Sequence, residues 1–291
     1  MAFSASRAAL EGFRLVGRRP VSFVVWCLIY GAYCAALLYG VGRLTDLVAE
    51  FRAYMAASVR GPQYLLGPGM ALLKTYLSAM LVWLPAGLAL TAILENAFWR
   101  AILKPARPLL AYLRLGGAEV RTFLYFLLFA VGSLAWWACV VAGIVLLARS
   151  NLEIGVKVSV SVLACVAALA AWIYIGVRLA LVGPQIVAKG RIDLGGAWRL
   201  SRGRFWKLFG MMLLAYVLTM AVGTLVQALV QPLMTLFISG VDTDFLETIR
   251  SSPALYAALA IGVVVCALLE VIIKSTPAAA AYRDISGDAG A

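Results

Sequence analysis

The chain has 291 residues, 64% of them hydrophobic and 13% charged; soluble domains run near half and a quarter, so a water-soluble globule is excluded. Histidine is absent, which removes the commonest general base and the commonest metal ligand. The net charge is +12, but the basic residues sit in short loops beside apolar runs, a pattern of topology and anionic lipid rather than nucleic acid.

The predicted elements begin with an amphipathic helix over residues 3–19. Arg7, Glu11, Arg14 and Arg18 recur on one face, and Phe3, Leu10, Phe13 and Val16 supply apolar contact. Such a helix lies in the headgroup layer until Pro20 ends it. Six spans follow, at about 20–42, 70–94, 122–148, 157–178, 207–230 and 254–274. Each is built on an uncharged run close to the roughly 20 residues that cross a hydrocarbon core. Span one carries a small-xxx-small line, Ala32, Ala36 and Gly40, and span three carries Ala138 and Ala142; both read as packing seams. Between spans one and two, Leu44, Leu47, Val48, Phe51, Met55 and Val59 recur at helical spacing, with Gly61-Pro62 as the stop. Pro85 should kink span two, and Glu95-Asn96 should end it.

The stretch after span four is the most distinctive. Gly183-Pro184 should break the helix leaving that span. Asp193 can cap a new helix through Ala197, Trp198 and Leu200. Arg199, Arg202, Arg204 and Lys207 then crowd the span-five entrance, interleaved with Trp198, Phe205 and Trp206. Basic and aromatic residues at an interface favour anionic phosphates at headgroup depth. With Arg14, Arg18 and Arg114 they form the expected anionic-lipid interface. Gln227 and Gln231 sit near the far end of span five, and Glu270 and Lys274, spaced i, i+4, near the end of span six. Together these four are the candidate polar cavity. A short helix is expected between Asp244 and Ser252. Cys27, Cys34, Cys139, Cys165 and Cys266 lie inside spans and read as small packing residues.

The chain is thus expected to be a single transmembrane domain, all-α and polytopic, with no soluble domain, since no loop reaches about 50 residues. No cleavable signal peptide is expected. The side holding the N-terminus, the 95–121 and 178–207 loops and the C-terminus carries 18 of the 25 basic residues and 7 of the 13 acids. That asymmetry puts both termini in the cytoplasm. The expected location is a bacterial-type inner membrane. An Arg-Leu pair precedes spans one, three and five, as Arg14-Leu15, Arg114-Leu115 and Arg199-Leu200. The spacing suggests three parallel repeats, each an interfacial helix and two spans.

The segment Arg178 to Leu181, Pro184, Ala197 to Ser201 and Arg202 to Trp206 resembles the signature of the glycerophosphoryl diester phosphodiesterase membrane domain family and its polytopic inner-membrane relatives. Ala281-Tyr282-Arg283 is similar to that family's close. The resemblance is strongest over about 40 residues. It implies a six-span membrane domain, and the catalytic domain that some members carry separately has no room here. The expected function is therefore non-enzymatic, with no cofactor and no metal: a lipid- or envelope-associated scaffold or lipid-handling module whose partners are anionic membrane lipids. The alternative is a small transporter or channel with a pathway between the span pairs. A membrane-protein partner or a second copy of the chain is left open by the sequence.

Overall fold

The computed structural model describes residues 4–40, 49–56, 66–105, 109–150, 152–238 and 253–288. Among them the chain is all helix and turn, with no strand. The helices are α1 (Ala5–Ala9), α2 (Glu11–Arg18), α3 (Pro20–Gly40), α4 (Leu66–Leu103), α5 (Gly117–Ala148), α6 (Ile154–Leu179), α7 (Val182–Lys189), α8 (Leu194–Leu200), α9 (Phe205–Ile238) and α10 (Pro253–Asp288). A 3-10 turn at Leu109–Tyr112 precedes α5, and residues 49–56 are also helical. By length and composition, six helices can cross a membrane: α3, α4, α5, the α6–α7 stretch, α9 and α10. The remainder of the helix expected between spans one and two, and the one expected before span six, lie outside the described residues.

The spans run longer than their uncharged cores. Glu95-Asn96 does not end α4, which continues to Leu103 because Ala97, Phe98, Trp99, Ala101 and Ile102 are buried along the added turns. Pro85 stays inside that one helix, and Pro277 stays inside α10. A charged and a polar residue thus fail to stop a helix whose next turns find apolar packing. The N-terminal amphipathic segment is two short helices separated at Leu10. Arg7, Arg14 and Arg18 are exposed as their spacing predicts, but the packed face is built mainly on small residues rather than on the large apolar ones. Ala8, Ala9, Gly12 and Leu15 are buried together with Glu11, while Leu10 and Phe13 stay exposed. Small residues permit the close approach that Leu10 and Phe13 would prevent.

The chain forms two compact units. The first comprises residues 1–15, 92–216 and 273–291; the second comprises residues 16–91 and 217–272. The first has a core of Ala8, Ala9, Val177, Leu181, Val182, Ile186, Ala197, Leu208, Met211, Ala280, Ala281, Tyr282 and Ile285. Within it, α5 buries Glu119 and Thr122 and nothing further along, and α6 buries Val177 alone. Most of that hairpin is therefore an exposed apolar surface, as lipid-facing helices require. The second unit buries Trp26 and Leu268, and Val264 lies against Gly31.

Candidate functional site

The site lies in the first unit, where α6 ends and three short turns follow. α6 stops at Leu179, and α7 starts at Val182 with Pro184 in its first turn, where proline's missing N–H costs nothing. Gly183 packs under Trp99, whose ring leaves no room for a Cβ. The Trp99 indole N–H donates to the carbonyl of Ser275 at 3.0 Å. α7 closes on Gly190, whose φ of +68° is the left-handed cap glycine supplies.

Asp193 then caps α8 as its position predicts, Oδ1 accepting from the Gly196 N–H at 2.7 Å. Gln185 Nε2 donates to Asp193 Oδ2 at 3.2 Å. The Gly196 N–H holds the Asp193 carboxyl below its usual range; desolvation opposes this, and the charges of Arg191, Lys189 and Arg199 assist it. Gly203, at φ +76°, turns the chain again so that α9 starts at Phe205.

These turns gather an aromatic box around Arg178. Its guanidinium carbon stands 5.1 Å from the Tyr174 ring centroid, 5.3 Å from Trp198 and 5.9 Å from Phe205. Such stacking suits the planar, weakly hydrated guanidinium. One terminal nitrogen donates to the Tyr174 hydroxyl at 3.0 Å and the other to Ser201 Oγ at 3.4 Å. Ser201 is itself fixed by donating to the Trp198 carbonyl at 2.9 Å. Arg178 Nε is buried with no acceptor, and no carboxylate pairs with Arg178 among the described residues. A cation is thus held among aromatic rings and hydroxyl acceptors, with no carboxylate partner among the described residues. The aromatic surface continues through Trp206 and Phe209, which ring Phe205 at 5.3 and 6.0 Å.

Of the expected anionic-lipid residues, Trp198 is a wall of this box, and Arg199, Arg202, Arg204, Trp206 and Lys207 follow it along α8, the turn at 201–204 and the start of α9. Arg199, Arg202 and Lys207 are exposed, Trp206 is 78% exposed and Arg204 is partly buried. Arg114 is exposed in the link before α5. Arg14 is exposed and pairs with Glu11 at 3.8 Å. Arg18 is exposed and belongs to the second unit. The sequence marks Arg178 as charged at a span end and Tyr174 as its i, i+4 neighbour. It does not show that two later turns carry Trp198 and Phe205 back to them.

The polar residues distribute differently. Gln227 and Gln231 are exposed. In the second unit Glu270 is partly buried: a Cβ on Gly223 would stand 3.8 Å from its Oε2, and it lies within electrostatic reach of Tyr30. In the first unit Lys274 is exposed, and its charge acts on Glu95. All five cysteines are free thiols; Cys139 and Cys165 are exposed rather than packed. Among the described residues no group of three His, Cys, Asp or Glu side chains is placed to hold a metal.

The fold defines an all-α polytopic membrane protein. No family model matches the chain, and neither a curated protein nor a solved structure matches it.

Proposed function

We propose that the chain is a non-enzymatic membrane protein that engages anionic lipids at the cytoplasmic face of a bacterial-type inner membrane, as a scaffold or lipid-handling module. The observation that carries this reading is the exposed group Arg199, Arg202 and Lys207, joined by Arg204 and interleaved with Trp198, Phe205 and Trp206. Each basic residue near an anionic leaflet contributes about 1 kcal/mol of attraction. Four within nine residues exceed what an apolar span needs to insert. The resemblance of residues 178–206 to the glycerophosphoryl diester phosphodiesterase membrane domain family also supports a role at the bilayer without a catalytic domain. The test is native mass spectrometry with phosphatidylglycerol or cardiolipin, comparing wild type with the Arg199→Gln, Arg202→Gln, Arg204→Gln triple variant. The wild type should retain anionic lipid and the variant should lose it. Equal retention, with fold intact, leaves these residues as topological anchors only.

A second reading, a small transporter or channel, draws support from Glu270. An ionisable side chain within a candidate span, turned toward Gly223 rather than fully exposed, is a functional position by default. Ion flux into proteoliposomes that Glu270→Gln abolishes would favour it.

A further inference from the structure

Two features of the first unit lie on one helix face and are not explained by packing. One is the Arg178 box, a guanidinium with three aromatic rings and no carboxylate partner among the described residues. The other is an apolar cleft of about 320 Å³ between α5 and α6, lined by Cys139, Val140, Gly143, Ile144, Val160 and Ala164 among others. Its volume falls within the range of ligand pockets. It exists because small residues, Gly143, Ala164 and Ser161, meet where larger ones would close the hairpin.

At 100° per residue, Val160, Ala164, Ala167, Ala171, Tyr174 and Arg178 fall within about 40° of one line along α6. Three alanines therefore leave a shallow strip between the cleft and the box. From Ala164 to Arg178 the rise is about 21 Å. That equals about half of a bilayer's thickness with headgroups included. If Arg178 stands at phosphate depth, the near end of the cleft stands where an acyl chain from that leaflet ends.

We propose that the box and the cleft together hold one anionic phospholipid, its phosphate on Arg178 and an acyl chain laid along the alanine strip with its end in the cleft. The proposal rests on the lipid-engaging reading above and names the bound species. Charge and donor geometry select the headgroup. The guanidinium already donates once from each terminal nitrogen, to Tyr174 and Ser201, which orients its plane. No carboxylate pairs with it among the described residues, and a phosphate accepts from such a fork in the way a carboxylate would. The rings of Tyr174 and Trp198, each 40% exposed, flank the headgroup and exclude water around it.

The test is native mass spectrometry of the detergent-solubilised chain, loaded with phosphatidylglycerol of long or short acyl chains. The wild type should keep one long-chain lipid that excess inorganic phosphate does not release. Arg178→Gln should lower its retention roughly tenfold, as expected for a lost charge-assisted hydrogen bond, and Arg178→Lys should fall between. Ala164→Leu fills the cleft far from the box and should lower long-chain retention similarly, leaving short-chain binding unchanged. Ala170→Leu, which adds the same bulk about 120° around the helix, should change nothing. Should Arg178→Gln fail to fold, Ala164→Leu alone decides the chain half and Arg178→Lys the headgroup half. Equal long-chain retention by wild type, Arg178→Gln and Ala164→Leu overturns the proposal, and the lipid-engaging reading survives if the triple variant of the belt still loses lipid. A wild type that retains no anionic lipid overturns the reading itself, and release by inorganic phosphate overturns the role of the chain.

Discussion

Gly183 shows how one hydrogen atom decides the course of the chain. Trp99 lies where its Cβ would be, so the turn between α6 and α7 can pack only with glycine there. Gly183→Ala should destabilise the protein by about 1–3 kcal/mol, the usual cost of overpacking, read as a lower melting temperature in detergent. Trp99→Leu in the same chain should recover part of the loss. Asp193 offers a test by acid. Its folded pKa lies below 3.8, so the stability it lends α8 is complete above that value. That stability is lost only as pH falls through the lower, folded value. Between pH 5 and pH 8, Asp193→Asn, which can still cap, should match wild type in α8 hydrogen exchange. At strongly acid pH the wild type should lose protection that the variant keeps. The cap was legible because aspartate before a periodic run is a local signal. The Arg178 box was not, since its rings come from three elements and meet only after the turns at Gly190 and Gly203.

The link between α4 and α5 is held by polar contacts. Arg100 pairs with Glu119, which also accepts from the Gly116 N–H at 3.0 Å. Arg100 donates in addition to the Tyr112 carbonyl at 3.2 Å, and Thr122 donates to Asn96 at 3.1 Å. Tyr112 and Ala111 hold φ of 64° and 53°, a conformation costly for residues with a Cβ, and the Arg100 bond helps keep them there. The Glu119 and Arg100 side chains are 6% and 15% exposed, so removing one charge strands the other. Glu119→Gln should cost about 3 kcal/mol. Glu11 is a useful contrast. Its partners Arg14 and Arg283 lie at 3.8 and 3.7 Å and are 44% and 43% exposed. Glu11 is itself only 8% exposed, but Glu11→Gln frees two cations that water already reaches and strands none, so it should cost less than Glu119→Gln. Denaturant unfolding of both variants checks the order, and a larger loss for Glu11→Gln would reverse the assignment. The existence of the six long helices was readable from uncharged runs. Their ends were not, because Glu95, Asn96 and Arg100 look like a boundary until Asn96 and Arg100 find buried or partly buried partners.

For the whole molecule, the charge asymmetry predicts one arrangement across the bilayer. In a cysteine-free background, Lys189→Cys should react with an impermeant thiol reagent only after the cells are opened. Leu152→Cys, exposed between α5 and α6, should react from outside. Reaction at residue 189 in intact cells would invert the topology. The three Arg-Leu pairs occupy unlike settings: α2, the irregular link before α5, and α8. Superposing residues 3–94, 100–177 and 190–275 on one another is the direct test of a triplication. Polytopic class was legible because a bilayer imposes a length and composition on each span. The division into two units was not, since its borders fall inside α2, α4, α9 and α10 and leave no mark on hydropathy.

The core of the first unit joins Ala8 and Ala9 to Ala280, Ala281, Tyr282 and Ile285 through Leu181 and Ile186. Those partners are about 270 residues apart along the chain, so the residues between them must be synthesised before they can meet, and a contact so distant in sequence forms late. The spans can enter the bilayer one after another while the core that holds Leu181 and Ile186 still lacks its last members, Ala280, Ala281, Tyr282 and Ile285. Biogenesis therefore has an interval in which the chain is inserted yet unfinished, vulnerable to membrane proteases. Nascent chains arrested before residue 279 should be cut within residues 178–207, and extension past residue 285 should close that window.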